Sequence, residues 1–223
     1  TATLGKSFFV TPTQDAQLKK IDGLAASSKI IEERVLFLFN GKEEVTYLKG
    51  VDSLFGRVND VNKIIFNGQW LEPHTTQVVV GYGIAQHLSL GLFDMNNPLE
   101  VFVPRPGKGT IETPEEAFNK FKIAPVGIYA VSEELDSKYV FADLVLTQAL
   151  LEYKLNQISD IECKLKPGAN EAEVISKLNQ IFNNKVTIKN RAHINPKMFN
   201  SFLDGTKSGI EMTAICNATG DRK

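Results

Sequence analysis

The chain lacks most of the features that would place it at once in a class of protein. It has 223 residues but only two cysteines, too few for a disulfide framework and not spaced as metal ligands. No run approaches ~18 uninterrupted apolar residues, so no segment is predicted to span a membrane. The net charge of −1, without a basic stripe, argues against nucleic-acid binding. With 43% hydrophobic and 23% charged residues, the composition is typical of a globular protein of one or two domains.

The two cysteines leave the redox compartment open. Cys163 lies in an apolar strand pattern, which predicts a buried thiol, and a bridge to Cys216 is a second possibility. Residue 1 is threonine and no signal peptide follows, which we expect of a fragment of a longer protein or of a processed chain.

Motifs of catalysis and cofactor binding are also scarce. No Gly-x-Ser-x-Gly occurs, and paired acids such as Glu43 and Glu44 are adjacent, which is typical of a solvated surface. Gly81 and Gly83 follow a strand pattern, but Gln86 stands at the third position of a dinucleotide fingerprint, so a tight strand-to-helix turn is the favoured interpretation. The histidines are too far apart for a helical zinc motif: His74, His87 and His193. We therefore predict no catalytic residues, no cofactor and no metal.

Local signals place regular elements near the amino end. Thr11 and Gln14 form a capping box, and apolar residues at helical spacing predict a short helix that ends near residues 26–28. Asn40 and Gly41 separate two strand runs, which predicts a hairpin because both residues tolerate the positive φ of a type I′ turn. The first of these strands is apolar on both faces and is therefore expected to be central.

The carboxyl part has an equally clear pattern. A strand is predicted at residues 158–165, followed by a turn, a helix capped by Asn170 with one apolar stripe, and a strand at residues 185–189. This order predicts a small βαβ-like element. Beyond residue 194 the chain is polar, and only a short helix near residues 197–203 is expected there.

The central segment is predicted to be a separate, strand-rich block. Short strands alternate with turn residues, and three helices are predicted, one of them at residues 142–153. The predicted strands and remaining helices are at residues 63–66, 77–80, 84–88, 99–103, 113–121, 126–131 and 139–140. The layout therefore predicts one domain built from both chain ends and a second inserted between them.

A long loop is the candidate functional feature of the central block. Prolines and glycines prevent a strand or helix from continuing after residue 103, and loops of ~20 residues are usually functional or disordered. Two interpretations stay open: a solvated protrusion, or a basic projection that docks a partner. The candidate residues are Pro104, Arg105, Pro106, Lys108 and Pro125.

An ordered set of motifs resembles a known family. Their sequences are GKSF, IEERVL, LKGVD, VGYGIAQHLSLGLFD, LEVFVP and IECKLKPG, at residues 5–8, 31–36, 48–52, 80–94, 99–104 and 161–168. Together they resemble the extracytoplasmic domain of MacB-type ABC transporter permeases. The lipoprotein-releasing permeases LolC and LolE look closest, with FtsX more distant, and the resemblance covers residues 1–193.

The resemblance implies an α+β fold in two parts. A small βαβ-containing porter-like domain is expected from residues 1–58 and 157–193, with a strand-rich sabre-like domain inserted at residues 59–156. Residues 194–223 resemble nothing in the family, and the status of this polar tail is left open.

The resemblance also implies a location and partners. The chain is expected to be the periplasmic domain of an inner-membrane protein of a Gram-negative bacterium, joined to the membrane only through flanking helices outside the sequence. Its partners would be a second permease subunit and a cytoplasmic ATPase. In permeases of the LolC kind a hook-like loop recruits the periplasmic lipoprotein chaperone LolA, and by order that loop falls on residues 104–125.

The expected function is therefore to transmit conformational change and to dock substrate or chaperone during lipoprotein release, without enzymatic activity. One alternative keeps the family and changes the partner: an efflux or cell-division permease whose domain contacts an adaptor or a hydrolase. The other is a free-standing soluble enzyme of unknown reaction.

Overall fold

The computed structural model describes residues 7–93, 97–105, 118–190 and 209–214, and combines a large mixed sheet with short helices. Its strands are β1 (Phe8–Phe9), β2 (Leu24–Phe39), β3 (Lys42–Val51), β4 (Ile65–Gly68), β5 (Gln77–Gly81), β6 (Leu99–Pro104), β7 (Phe118–Tyr129), β8 (Tyr139–Asp143), β9 (Gln157–Ile158), β10 (Asp160–Leu165), β11 (Val186–Asn190) and β12 (Gly209–Ala214). Its helices are α1 (Pro12–Leu18), α2 (Phe55–Val58), α3 (Tyr82–Leu88), α4 (Glu133–Asp136), α5 (Leu144–Leu150) and α6 (Glu171–Ile181), with a 3₁₀ turn at Val61–Lys63.

Six strands close into a ring. In the order β2, β3, β8, β5, β7 and β6, each strand is hydrogen-bonded to the next, and β6 pairs again with β2. Side chains alternate between the two faces of a strand, so one face of the ring is lined by apolar residues. These include Val35, Phe37, Leu48, Val80, Val101 and Val140, all 2% exposed or less. The interior is therefore a packed core.

The two chain ends join this ring through β2. The amino-terminal part of β2 pairs antiparallel with β10, and β1 pairs with β9. β10, α6 and β11 form the predicted βαβ-like element, and the backbone of β12 lies between its two strands, antiparallel to both. The tail therefore contributes a strand that the sequence pattern did not predict.

The sheet has a core on each face. On one face the ring interior continues into a layer packed by α1, α3, α5 and α6, which contribute Leu18, Leu88, Leu150 and Leu178. On the other face α2, α4 and the 3₁₀ turn cover an aromatic cluster that contains Phe55, Tyr129, Tyr139 and Phe141. Strands buried on both faces carry near-continuous apolar runs, which explains the central position of β2.

Several local predictions are confirmed. Thr11 and Gln14 form the capping box of α1, and the Asn170 side chain accepts the backbone N–H of Glu173 at the start of α6. The turn between β2 and β3 has Asn40 at φ 48° and Gly41 at φ 77°, as a type I′ turn requires.

Two predicted helices are too long. The first ends at Leu18, and the chain turns at Gly23, where φ is +90°, before β2 begins at Leu24. Pairing with β10 outweighs the helical spacing of the following residues, because tertiary contacts override weak local propensity. The helix predicted at residues 142–153 is α5, which is shorter because its first predicted residues belong to β8.

The predicted division into a porter-like and a sabre-like domain stays a prediction. The ring takes β2 and β3 from the amino-terminal arm and its other four strands from residues 59–156, so hydrogen bonds cross the proposed boundary. The helix expected at residues 197–203 lies outside the described residues, as does Cys216. The helix expected at residues 113–121 is wrong at its carboxyl end, because residues 118–121 belong to β7 and pair with β6. Its earlier residues lie outside the described residues.

Candidate functional site

The candidate loop is the connection of a β-hairpin. β6 and β7 pair antiparallel from Leu99 opposite Ile123 to Pro104 opposite Phe118, so the connection comprises residues 105–117. Residues 106–117, which include the candidates Pro106 and Lys108, lie outside the described residues.

The candidate residue Pro125 is not in the loop, which ends earlier than predicted. It lies in β7, is buried and stands opposite Val78 of β5. The register of β5 and β7 shifts between Val78 and Val79, next to the proline. Proline lacks a backbone N–H and is found in sheets mainly at such irregular positions, so β7 continues through it.

The other described candidates stand at the base of the hairpin. Pro104 is the last residue of β6 and is partly buried, whereas Arg105 is exposed. The Arg105 Nε donates a hydrogen bond to Asn119 Oδ1 at 2.7 Å, which connects the two strands just before the chain enters the connection.

Asn119 also ties the hairpin to the rest of the molecule. Its Nδ2 donates to Glu152 Oε1 at 3.0 Å and lies 3.5 Å from the backbone oxygen of Leu150, at the end of α5. One side chain thus links β6, β7 and the turn after α5. No pattern in the sequence predicts this role, because the three segments are separate along the chain.

The outer part of the hairpin carries both charge and aromatic surface. Lys120 Nζ lies 2.9 Å from Glu100 Oε2 and 5.2 Å from the centre of the Phe102 ring across the strand pair. Phe118 and Phe121 are each 39% exposed and belong to opposite faces of β7. The hairpin therefore presents apolar surface on both faces next to basic side chains.

A second polar cluster is fully buried between the two arms. Lys49 Nζ of β3 lies 2.6 Å from Glu162 Oε1 of β10, and Asn59 Nδ2 donates to Glu162 Oε2 at 2.9 Å. The Lys49 ammonium also lies 5.0 Å from the centre of the Tyr139 ring. Because both charges are paired inside the fold, this cluster holds strands together and is not arranged as a site of chemistry.

The buried thiol has the environment of a structural residue. Burial, and then the nearby Glu162 carboxylate, raise the pKa of Cys163 to about 12. A thiol that stays protonated at neutral pH is a poor nucleophile, because the thiolate is the reactive form.

The glycine motif has the geometry of a packing turn. Gly81 ends β5 and Gly83 lies in α3, and a Cβ at Gly81 would collide with the backbone oxygen of Asp136 in α4. Within the described ranges no three potential metal-ligating side chains come together. Nor does any helix in those ranges have the length and apolar character needed to cross a membrane.

Sequence comparisons give one match. A family model described as the catalytic domain of the oxidoreductase DRL matches residues 168–222, about a quarter of the chain. The described part of this region consists of α6, β11 and the backbone of β12. No curated protein matches the chain by sequence.

Structure comparisons give broader matches. The extracellular domain of the noncanonic ABC-type transporter YknZ from Gram-positive bacteria has a TM-score of 0.52 and 13% identity, over 82% of this chain and 94% of that one. The periplasmic region of MacB from Actinobacillus actinomycetemcomitans has a TM-score of 0.53 and 14% identity, over 90% of this chain and 77% of that one. The chain therefore has an α+β fold shared with extracytoplasmic domains of ABC-type transporters, as predicted.

Proposed function

We propose that this chain is the extracytoplasmic domain of an ABC transporter permease, and that it transmits movement and docks a partner without catalysing a reaction. The observation that carries the proposal is the fold shared with YknZ and MacB domains over more than four-fifths of the chain. At such low identity the likeness is one of fold, so function needs its own support. The ordered motifs of the sequence add that support.

Within this class we propose a role in lipoprotein release from the inner membrane of a Gram-negative bacterium. The partners would be a second permease subunit, a cytoplasmic ATPase, the lipoprotein substrate and a periplasmic lipoprotein chaperone of the LolA kind. The supporting features are the LolC- and LolE-like motifs and a hairpin that presents Arg105 and two exposed phenylalanines. Aromatic and arginine side chains are enriched where proteins recognise one another.

A pull-down with the purified chaperone tests this proposal. We expect the chain to retain the chaperone, and deletion of residues 108–113 to abolish retention. The matched control replaces Lys120 and Lys122, which are basic residues of the same hairpin outside the connection, with alanine; this variant should retain at least half of the binding. Absence of binding by the intact chain, or unchanged binding after the deletion, would exclude the chaperone role.

An efflux or cell-division permease is the alternative within the class. Its domain would contact an adaptor or a cell-wall hydrolase in place of the chaperone. Retention of such a protein, with no retention of the chaperone, would favour this assignment and leave the permease proposal intact.

An oxidoreductase is the alternative from another class, and the family match at residues 168–222 is the observation that favours it. Oxidoreductases commonly bind nicotinamide dinucleotides, which supply the hydride chemistry. Our proposal predicts that NADH and NADPH leave the thermal unfolding midpoint unchanged. A saturable rise in that midpoint would favour the enzyme.

A further inference from the structure

Within the part of the chain that the structure describes, β2 has an open backbone edge at its amino-terminal end. β3 leaves the sheet at Val51, which stands opposite Ile30, whereas β2 begins at Leu24. Among the described strands, this first part of β2 pairs only with β10. An unpaired edge is a template on which another chain can form a strand.

Asp52 marks the point where the regular pairing ends. Its Oδ2 accepts the backbone N–H of Lys29 at 2.9 Å, where a strand carbonyl would otherwise accept. Because alternate residues of a strand direct their N–H and C=O groups to the same side, the backbone groups of Ser27 face the position that β3 has left.

This position is a groove between two helices on opposite faces of the sheet. The groove has a volume of about 350 Å³, with α1 on one side and α2 on the other. Its walls combine apolar and basic side chains with the open backbone of β2. The lining residues are Leu18, Lys19, Leu24, Ala25, Ala26, Ser27, Leu54 and Arg57.

The two charged side chains that line the groove, Lys19 and Arg57, are both positive. Arg57 is exposed, and among the described residues no carboxylate lies within ion-pair distance of its guanidinium. Lys19 shares the single carboxylate of Asp15 with Lys29, at 2.8 and 2.9 Å. The Asp52 carboxylate accepts hydrogen bonds from Ser28, Lys29 and Leu54 within the fold. The groove therefore favours a negatively charged occupant.

We propose that the groove binds an extended acidic segment of a partner protein, which adds to β2 as a short strand. Its backbone pairs with Ser27, its apolar side chains lie against Leu18 and Leu54, and its carboxylates face Lys19 and Arg57. This is the strand-addition mode of peptide recognition, in which main-chain hydrogen bonds give affinity and side-chain contacts give specificity.

The groove is separate from the β6–β7 hairpin. β6 pairs with β2 around Phe37, ten positions beyond Ser27, which corresponds to about 33 Å along the strand. The proposed strand addition thus goes beyond the chaperone-docking role and does not depend on it.

A capped eight-residue peptide of alternating valine and glutamate is the probe. In an NMR titration of the ¹⁵N-labelled chain, we expect saturable shifts of the Ser27 amide and its neighbours, with a dissociation constant below about 1 mM. The same peptide with lysine in place of glutamate should bind at least fivefold more weakly. An acidic peptide that leaves the Ser27 amide unchanged, or a lysine peptide that binds equally well, would overturn the proposal.

Two variants locate the site. Arg57→Glu should weaken binding at least fivefold, whereas Lys185→Glu, which changes an exposed lysine after α6, should leave it unchanged. Ser27→Pro removes the N–H that faces the groove and should abolish binding. Near-UV circular dichroism checks that this variant folds. If it does not fold, the binding of Arg57→Glu alone tests the location of the site. Equal binding by wild type and Arg57→Glu would exclude the groove. Concentration-dependent dimerisation that protects Ser27 would instead identify a second copy as the occupant.

Discussion

The two ends of β2 are built differently. At the amino-terminal end, β2 joins β10, and the buried Lys49–Glu162 pair lies against this junction with 7% and 3% of the two side chains exposed. At the carboxyl-terminal end, β2 joins the β6–β7 hairpin, whose polar contacts through Arg105 and Asn119 are exposed. One strand therefore connects a buried joint between the chain arms with a hairpin that faces solvent.

The difference separates two mechanical roles. Breaking a buried ion pair is costly because it leaves an uncompensated charge, whereas an exposed pair contributes little to stability. The joint between the arms is thus expected to move as one body. The hairpin, held by exposed contacts, is expected to change without unfolding the domain, as the proposed docking role requires.

The largest expected effect is at the buried joint. Glu162→Gln leaves the Lys49 ammonium without its counter-charge and should lower the free energy of unfolding by about 3–5 kcal/mol. Urea denaturation measures the change. Glu173→Gln is the control, because it breaks the exposed Glu173–Lys177 pair and should cost no more than about 0.5 kcal/mol. Equal losses in the two variants would contradict the difference between the joint and the surface.

The turn at the far end of β2 should give a smaller effect. Gly41→Ala puts a side chain at φ +77° and should cost about 1–2 kcal/mol. Gly56→Ala in α2 should be neutral or stabilising by up to about 1 kcal/mol, because alanine favours helices and the new Cβ would make ordinary contact with Val61. Thermal unfolding of both variants checks the contrast, and a loss in Gly56→Ala that matches Gly41→Ala would refute it.

The base of the hairpin should respond locally. Asn119→Ala removes the bonds to Arg105 and Glu152 and should lower the free energy of unfolding by about 1 kcal/mol. Amides at the start of β7 should exchange hydrogen faster, while those of β10 keep their rates. Lys120→Ala is the control and should measurably change neither the free energy of unfolding nor the exchange rates of these amides. Faster exchange throughout the molecule would show that the hairpin and the joint are not separable.

The smallest effect is a pH dependence near the groove. Partial burial raises the pKa of Asp15, but hydrogen bonds from Lys19 and Lys29 outweigh it, so the net pKa lies below its ordinary value of 3.8. The associated stability is present above pH 3.8 and is lost as the pH falls through the lower, folded-state pKa. Asp15→Asn should therefore reduce the loss of unfolding free energy at acid pH by less than about 1 kcal/mol. The same loss of unfolding free energy at acid pH in wild type and variant would contradict the lowered pKa of Asp15.

Features that depend on short-range signals could be predicted from the sequence. The Asn40-Gly41 turn and the caps at Thr11 and Asn170 follow from residues within a few positions of one another. The α+β class followed from the same patterns together with the family resemblance.

Features that depend on distant pairing could not be predicted. Leu24 enters a strand because β10, far along the chain, pairs with it. The Lys49–Glu162 pair spans 113 residues, and a charged residue in a strand pattern gives no sign of a buried partner. In the candidate site, the sequence predicts Arg105 but not Asn119, because the partners of Asn119 come together only in the fold.

Hydrogen–deuterium exchange in the presence of the lipoprotein chaperone tests the central claim most directly. If the hairpin is the docking element on a rigid body, excess chaperone should slow amide exchange at residues 105 and 118–120 and leave residues 160–165 unchanged. Unchanged exchange at the hairpin, with or without new protection elsewhere in the chain, would contradict the claim.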